Sequence, residues 1–168
     1  MAGPFSPSHR ASALFLREPE IRRGIELMYF GYSHLTRSAD GVLDRHGLGR
    51  AHHRTLYFIA RQPDLTVSDL LKLLGVTKQS LGRVLNDLAA RGLVETRTGT
   101  SDRRQKLLRL TATGIAFEAE LFDALRSGMA SAYGAAGQES VTGFWRVLEG
   151  LIPADDQPMV QKLQGLSA

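Results

Sequence analysis

The segment 65–114 constrains the fold most strongly, because it sets two short amphipathic helices on either side of a glycine and then continues into a basic hairpin. Thr66 is suited to cap the first helix, since Asp69 follows three residues later as in a capping box. Gly75 ends this helix within a tight connection, and Thr77 can cap the second one. This order of elements predicts a winged helix-turn-helix.

The second helix has one apolar and one polar face. Its apolar residues recur at helical spacing: Leu81, Val84, Leu85 and Leu88. Its polar first two turns supply donors and acceptors suited to a DNA duplex: Thr77, Lys78, Gln79, Ser80 and Arg83. We expect Gln79 to pair with adenine and Arg83 with guanine, while the other three hold phosphates. The alternative is that Arg83 lies along the DNA backbone or pairs with Asp87 four residues on.

A basic hairpin follows the second helix. The sequence LVETRT, from Leu93 onward, alternates as a strand does, Gly99 turns the chain, and LLRL forms the return strand before Thr111 caps the next helix. The hairpin is expected to straddle a phosphate backbone through Arg97, Asp102, Arg103, Arg104 and Lys106. The alternative is an ordinary solvated loop, because runs of charge usually just solvate a surface.

Three short motifs punctuate this segment. They are "GLV" at the first hairpin strand, "DRR" at the hairpin tip and "LT..G" at the next helix, formed by Gly92, Leu93, Val94, Asp102, Arg103, Arg104, Leu110, Thr111 and Gly114. With this spacing the segment resembles the MarR family of winged-helix transcription regulators. The resemblance implies that Asp102 holds the wing arginines and that Arg103 or Arg104 enters the minor groove. Segments 16–28, 49–54 and 77–81 also resemble a narrower branch, the PetP-like regulators.

Charge is distributed unevenly along the chain. The formal net charge is +4, but residues 66–110 hold nine Lys or Arg against four Asp or Glu, whereas residues 111–168 hold three against seven. This asymmetry favours contact with phosphates, although a basic surface can also serve solubility or an acidic partner. We therefore expect double-stranded DNA as the partner of the basic segment.

The sequence lacks three features that would indicate other classes of protein. The chain has no cysteine, which excludes a disulfide framework and a thiol switch. No apolar run approaches the roughly 20 residues that a membrane helix needs, so we expect a soluble, cytoplasmic protein. The motifs of serine hydrolases, phosphate loops, zinc proteases and dinucleotide-binding enzymes are missing, and an enzyme is not expected.

Apolar spacing predicts further helices on both sides of the central segment. One long helix is expected over residues 19–46, a shorter one over 49–62, and another long one after Thr111 that the glycines near Gly134 and Gly137 interrupt. The fold class is therefore mainly α with a small β-hairpin wing: a winged helix-turn-helix with N- and C-terminal dimerisation helices. The predicted regions are a flexible N-terminal arm, an N-terminal dimerisation helix region, the DNA-binding domain and C-terminal dimerisation helices, over residues 1–12, 13–48, 49–112 and 113–168.

The terminal helices are too apolar to lie alone on a small domain. By resemblance to MarR-like proteins they interlock across a two-fold axis, with an interface formed by Ile21, Ile25, Phe144, Trp145, Leu148, Leu151 and Ile152. The alternative is that the C-terminal stripe belongs to the chain's own core. A two-fold homodimer would set two recognition helices about one helical turn apart on near-palindromic DNA.

The resemblance also implies a small aromatic or anionic effector in a cleft between the dimerisation helices and the reader. The candidate residues are Tyr29, Tyr32, Arg54, Tyr57 and Phe58, and the alternative for each aromatic ring is ordinary core packing. A metal site at His46, His52 or His53 is not expected, because cysteine is missing and the two adjacent rings point to different faces of a helix. No other cofactor is expected.

The sequence thus predicts a MarR-type regulator that binds near-palindromic duplex DNA as a homodimer and represses transcription under the control of a small ligand. The alternative function is a winged helix used for protein contacts or for non-specific coating of the chromosome.

Overall fold

The computed structural model describes residues 14–99 and 104–165. Its helices are α1 (Glu18–Arg37), α2 (Asp40–Arg45), α3 (Arg50–Arg61), α4 (Val67–Leu74), α5 (Lys78–Ala90), α6 (Ala112–Ala136), α7 (Gln138–Gly150) and α8 (Gln157–Leu163). Its strands are β1 (Leu65–Thr66), β2 (Val94–Thr98) and β3 (Lys106–Leu110). The predicted mainly α fold with a small β wing is confirmed, and the arm predicted over residues 1–12 lies outside the described residues. In the described ranges no helix is long and apolar enough to cross a membrane.

The chain forms two compact units, residues 1–37 and residues 38–168. In the first unit, α1 carries Pro19 near its start and continues through Gly24 and Gly31. The structure describes all of α1, and none of its side chains is buried. In the single chain the large apolar side chains of α1, such as Ile21 and Ile25, are therefore exposed.

The single helix expected over residues 19–46 is wrong, because the chain leaves helical geometry after Arg37 and starts α2 at Asp40. Ala39 and Leu43 are buried in the core of the second unit, with exposed fractions of 0% and 1%. The N–H of Leu43 donates to the carbonyl of Ala39 at 3.0 Å. Burial of Ala39 and Leu43 sets the direction of α2. The regular spacing of apolar residues continues from α1 into α2, so the sequence pattern does not reveal the break between the two helices.

Leucine-rich packing forms the core of the second unit. The side chains with the smallest exposed fractions include Leu43, Leu56, Ile59, Leu65, Leu70, Leu81, Leu88, Leu108 and Leu121. The predicted apolar face of α5 is confirmed, since Leu81 and Leu88 are buried and Val84 and Leu85 pack against the core. Because these side chains point inward, the opposite face of α5 meets solvent.

Capping bonds fix the helix-turn-helix as the sequence predicts. The Thr66 hydroxyl accepts from the N–H of Asp69 at 3.0 Å, and the Thr77 hydroxyl accepts from the N–H of Ser80 at 3.2 Å. Gly75 ends α4 with a φ of 61°, a left-handed conformation that glycine adopts without strain. The turn between α4 and α5 is therefore short and has a defined geometry.

The wing belongs to a three-stranded antiparallel sheet with the strand order β1, β3, β2. The predicted hairpin is confirmed, because β2 pairs with β3 from Val94 through Thr98. The third strand, β1, was not predicted, since a strand of two residues is too short to show a period. It pairs Leu65 with Leu108 and so joins the start of α4 to the wing.

The C-terminal region has one more helix than the sequence predicts. The predicted break near Gly137 is confirmed between α6 and α7, where this glycine has a φ of 79°, whereas Gly134 lies inside α6. After Pro153 the chain forms α8, whose seven residues gave no clear apolar period. The guanidinium of Arg61 donates to the carbonyl of Leu163 at 2.6 Å, which attaches the last turn of α8 to α3.

Gly114 generates a prediction about stability, because a Cβ at this position would overlap the backbone carbonyl of Leu93. That carbonyl also accepts from the N–H of Thr111 at 3.1 Å, so it cannot retreat without losing the bond. We expect Gly114→Ala to lower the free energy of unfolding by about 1 to 3 kcal/mol, the usual cost of overpacking. Urea unfolding at fixed protein concentration measures this loss.

The matched control is Gly143→Ala in α7, where nothing lies within 4 Å of an added Cβ. Alanine there should leave the free energy of unfolding unchanged or raise it slightly, because alanine favours a helix interior over glycine. Equal effects of the two substitutions would contradict the close approach of α6 to the wing.

Candidate nucleic-acid interface

The polar face of α5 is exposed along its first two turns. Lys78, Gln79, Ser80 and Arg83 all meet solvent, because Leu81 turns the other face of the helix into the core. The four side chains offer two cations, an amide with donors and an acceptor, and a hydroxyl. The structure therefore brings these predicted contact residues together on one accessible surface.

The cap of α5 uses some of the hydrogen-bonding groups at the start of this polar face. The Thr77 hydroxyl donates to the Ser80 hydroxyl at 3.0 Å while it accepts from the Ser80 N–H. The hydroxyl hydrogen of Thr77 is thus committed to the helix start, whereas the Ser80 hydroxyl keeps its own hydrogen for another acceptor. A phosphate oxygen beside the first turn of α5 is an acceptor of this kind.

Asp87 is engaged by partners other than Arg83. Its carboxylate accepts from Nε of Arg91 at 2.8 Å and lies 3.1 Å from Nε2 of His52. The hydrogen bond from Arg91 is the main cause that lowers the pKa of Asp87, so the carboxylate stays charged. The alternative in which Asp87 holds Arg83 is wrong, and within the described residues Arg83 has no ion pair or hydrogen bond.

These contacts form what we call the Asp87 cluster, consisting of Asp87, Arg91 and His52. Arg91 also donates to the carbonyl of His46 at 2.7 Å, and Nδ1 of His52 accepts from the N–H of Gly49 at 3.1 Å. The cluster joins the last turns of α5 to the loop between α2 and α3. Sequence reasoning missed it, since only the spacing of Asp87 and Arg91 leaves a local signal.

The basic residues of the wing differ in their surroundings. Nε of Arg97 donates to the carboxylate of Glu95 at 2.8 Å on the same strand, so a phosphate at Arg97 has to compete with this acid. Arg104 and Lys106 are exposed where the hairpin turns. Two predicted wing residues lie outside the described residues, Asp102 and Arg103.

An ion pair holds the base of the sheet. Arg109 of β3 makes two hydrogen bonds to the carboxylate of Asp64, which directly precedes β1. The bond from Arg109 is the main cause that lowers the pKa of Asp64. Because the partners lie 45 residues apart in the chain, no local sequence pattern indicated the pair.

The residues predicted for a dimer interface are mostly exposed in the single chain. Those with exposed fractions between 44% and 61% are Ile21, Ile25, Phe144, Trp145 and Leu151. Leu148 and Ile152 are half-buried. The indole N–H of Trp145 donates to the hydroxyl of Tyr133 at 3.0 Å, which orients the ring on the surface of α6 and α7. Most of the apolar stripe of α7 therefore lies outside the chain's own core.

The five residues proposed for a ligand cleft are divided between the two units. Tyr57 and Phe58 line a cavity of about 530 Å³ in the second unit. Arg54 is exposed on the same helix and is not part of this lining. Tyr29 and Tyr32 are exposed on α1 in the first unit.

The histidines considered for a metal make other contacts. His52 belongs to the Asp87 cluster, and the ring of His46 packs edge-on against Phe117 with centroids 4.7 Å apart. Over residues 14–99 and 104–165, no three His, Cys, Asp or Glu side chains form a group that could hold a metal ion.

His53 is the histidine with an unusual environment. It is 5% exposed, and its Nε2 is buried without a hydrogen-bond partner in the described part of the chain. Burial lowers the pKa of His53, and the charge of Asp40 opposes this shift in part. The ring is therefore held in its neutral form.

Two helices joined by a tight turn, an exposed polar helix face and an adjacent antiparallel wing define a winged helix-turn-helix protein. The model of the MarR family matches residues 46–105 of this chain. The HTH-type transcriptional regulator PetP of Rhodobacter capsulatus is 50% identical over 139 residues, which span 83% of this chain and 84% of that protein. The chain belongs to the MarR family of transcription regulators and is PetP-like, as its motifs predict.

Solved structures share the fold. A mutant of MarR from E. coli in complex with operator DNA matches with a TM-score of 0.63 and 22% identity, over 80% of this chain and 96% of that one. MepR of S. aureus in complex with DNA matches with a TM-score of 0.58 and 23% identity, over 75% of this chain and 93% of that one. The family, like the relative PetP, consists of transcription regulators rather than enzymes.

The environment of His53 predicts a pH dependence of stability. The pKa of His53 is lower in the folded chain than its ordinary value of 6.5. The contribution of the neutral ring to the free energy of unfolding is therefore fully present above pH 6.5 and is lost as the pH falls toward the pKa of the folded chain. Between about pH 7.5 and about pH 5.5, we expect the wild type to lose more unfolding free energy than His53→Leu, which has no proton to bind. Chemical unfolding at the two pH values measures the difference.

The exposed His34 on α1 provides the control, since His34→Gln should keep the wild-type response to pH. If His53→Leu and wild type lose stability in parallel, the buried neutral ring is not the source of the pH dependence.

Proposed function

We propose that the chain binds near-palindromic duplex DNA as a homodimer, with α5 in the major groove and the wing along the phosphate backbone. The observation that carries this proposal is the exposed polar face of α5, which lies beside a basic wing and makes no competing contact at Arg83. Residues 66–110, which contain both elements, hold nine basic and four acidic residues. The operator and DNA complexes of the E. coli and S. aureus proteins, which have the same fold, lend further support.

Base reading is assigned to two side chains of α5. Gln79 can form two hydrogen bonds with adenine and Arg83 two with guanine in the major groove. Lys78 and Ser80 stand in the first turn, where they can contact phosphates, and Thr77 fixes the cap that orients them. Because Asp87 is held by Arg91 and His52, the guanidinium of Arg83 stays available for a base.

The wing is assigned to backbone and minor-groove contact. Arg104 and Lys106 supply exposed positive charge at the turn, and Arg97 can exchange its Glu95 partner for a phosphate because that ion pair is exposed. By resemblance to the family, Asp102 orients the wing arginines and Arg103 or Arg104 enters the minor groove. These contacts position the protein and add affinity for any duplex.

The homodimer in this proposal uses the exposed apolar residues of the terminal helices. Large side chains that stay exposed in a single chain indicate an interface when they cluster, and Phe144, Trp145 and Leu151 cluster on and after α7. Ile21 and Ile25 supply the corresponding residues of α1. Two-fold symmetry of the protein then matches two-fold symmetry of the DNA site.

The proposed role of the DNA-bound dimer is repression of transcription under the control of a small ligand. A dimer seated on an operator in the cytoplasm excludes other proteins from the same stretch of duplex, which makes repression the natural outcome. In keeping with the family resemblance, a small aromatic or anionic ligand adjusts DNA affinity, and Tyr29, Tyr32, Arg54, Tyr57 and Phe58 remain candidates for its contacts.

The assignment of base readers predicts a loss of specificity. We expect Gln79→Ala and Arg83→Ala each to weaken binding to the selected operator by about 1 to 3 kcal/mol and binding to a scrambled duplex much less. The operator is obtained by selecting fragments of genomic DNA on the purified protein, and affinities are measured by fluorescence anisotropy at physiological salt.

Lys78→Ala is the matched control on the same helix, because a phosphate contact adds affinity for both duplexes alike. Equal losses on both duplexes for Gln79→Ala and Arg83→Ala would move base reading elsewhere. A wild type that binds operator and scrambled DNA equally would favour non-specific coating of the chromosome.

The interface proposal predicts the effect of a charge on the apolar stripe. We expect the wild type to sediment as a dimer and Phe144→Asp to shift it toward the single chain, because an interfacial carboxylate has to be desolvated. Operator affinity should fall in parallel, since a monomer loses the gain from two linked half-sites. Sedimentation velocity over a dilution series measures the equilibrium.

Arg146→Asp is the control, because this exposed side chain lies on the opposite side of α7 from Phe144. It should leave the dimer intact. Sedimentation of the wild type as a single chain at every concentration would rule out the dimer.

A further inference from the structure

The outward face of the wing sheet carries charged side chains on each of its strands. Glu95 of β2 lies directly opposite Arg109 of β3, and residues that pair in this way point to the same face. Arg97 follows Glu95 by two positions, so it shares that face as well. The buried side chains of Val94 and Leu108 point to the other face, toward the core. The charged face therefore meets solvent.

The charges on this face alternate in sign across the sheet, in the order Asp64, Arg109, Glu95 and Arg97. Nε of Arg97 donates to Glu95 at 2.8 Å, and Arg109 makes two hydrogen bonds to Asp64. The hydrogen bonds to Asp64 are the main cause that raises the pKa of Arg109, and the charge of Glu95 raises it further. Glu95 is therefore bonded to one arginine and attracted by a second one on the neighbouring strand.

The two arginines differ in how readily they can reach DNA. Arg97 is 57% exposed and lies one pair from the end of the β2–β3 ladder, near the point where the hairpin turns. Arg109 is 40% exposed and is held at the base of the sheet by its bonds to Asp64. An exposed ion pair such as the one between Glu95 and Arg97 contributes little to folding, so a phosphate can displace the acid. Glu95 then still faces Arg109 across the ladder.

We propose that Glu95 limits the affinity of the wing for DNA, because it holds Arg97 in the free protein and turns to Arg109 when a phosphate takes its place. The inference rests on the proposed DNA binding and names a residue that sets its strength. A phosphate carries no sequence information, so the restraint acts on every duplex alike. It lowers the occupancy of the many unrelated sites that compete with an operator in a genome.

The test measures the effect of Glu95→Gln in two backgrounds, the wild type and Arg97→Gln, by fluorescence anisotropy on a scrambled duplex and on the selected operator. In the wild-type background we expect both duplexes to bind about threefold more tightly, because Arg97 no longer has to leave an acid. In the Arg97→Gln background the same change should alter the affinity by less than about 1.5-fold, since the acid acts through this arginine.

A second pair of measurements tests the exchange of partners. Arg109→Gln removes the second partner of Glu95, so we expect it to weaken binding of both duplexes about twofold in the wild-type background and to have no effect in the Glu95→Gln background. The matched control is Glu120→Gln, which breaks an exposed ion pair of 2.8 Å with Arg45 outside the wing and should leave both affinities unchanged. If Arg109→Gln fails to fold, the measurements on Glu95 and Arg97 decide.

Two results would overturn the role of Glu95. Without a gain from Glu95→Gln the acid is inert, and with an equal gain in both backgrounds it repels DNA directly instead of holding Arg97. The same titrations show separately whether the wild type prefers the operator. A preference without the predicted gain leaves the proposed function standing, whereas the predicted gain on scrambled DNA without a preference defeats base reading alone. Failure of both proteins to bind either duplex defeats both proposals.

Discussion

The carboxylate of Asp87 is the contact on which the presentation of α5 depends. It accepts from Arg91, which directly follows α5, and from His52 on α3, while Arg91 also reaches the carbonyl of His46. Burial of Leu81 and its apolar neighbours decides which face of α5 points inward and how the helix packs on the core. The polar contacts of Asp87 add a second attachment at the far end of the helix. The polar side chains of the first two turns can therefore face solvent while Leu81 anchors the same turns in the core.

A second junction sets the wing against the C-terminal helices. The Leu93 carbonyl accepts from the N–H of Thr111, the Thr111 hydroxyl donates to the carbonyl of Gly92, and Gly114 lets α6 pass directly over this backbone. These contacts attach the start of α6 directly to the base of β2. The wing and the recognition helix share this one framework, so the spacing between them is a property of backbone packing rather than of flexible loops.

Local features of the fold were predictable from the sequence, and features that depend on distant residues were not. The caps at Thr66 and Thr77 and the turn at Gly75 involve partners within four residues, so a single segment contains the whole signal. The polar face of α5 followed from the period of its leucines. In contrast, the pair of Arg109 with Asp64 spans 45 residues, and a pattern along the chain gives no information about it.

The other differences between the predicted and the observed elements also arise from contacts with residues that are distant in the chain. The break after Arg37 accompanies the burial of Ala39 and Leu43 in the core of the second unit, although the apolar spacing is continuous across it. Strand β1 and helix α8 are too short for their periods to be read, and each exists through its packing partner. The candidate residues for base reading, the Thr77 cap and the buried leucines of α5 were predicted from the sequence, whereas the Asp87 cluster became visible only in three dimensions.

The most direct test of α5 as the base-reading helix is a crystal structure of the full chain with its selected operator duplex. We expect Gln79 and Arg83 within hydrogen-bonding distance of base edges in the major groove, with the contacts of Asp87 to Arg91 and His52 preserved. A complex in which α5 contacts phosphates alone, or in which the duplex lies on another face of the domain, would contradict the assignment.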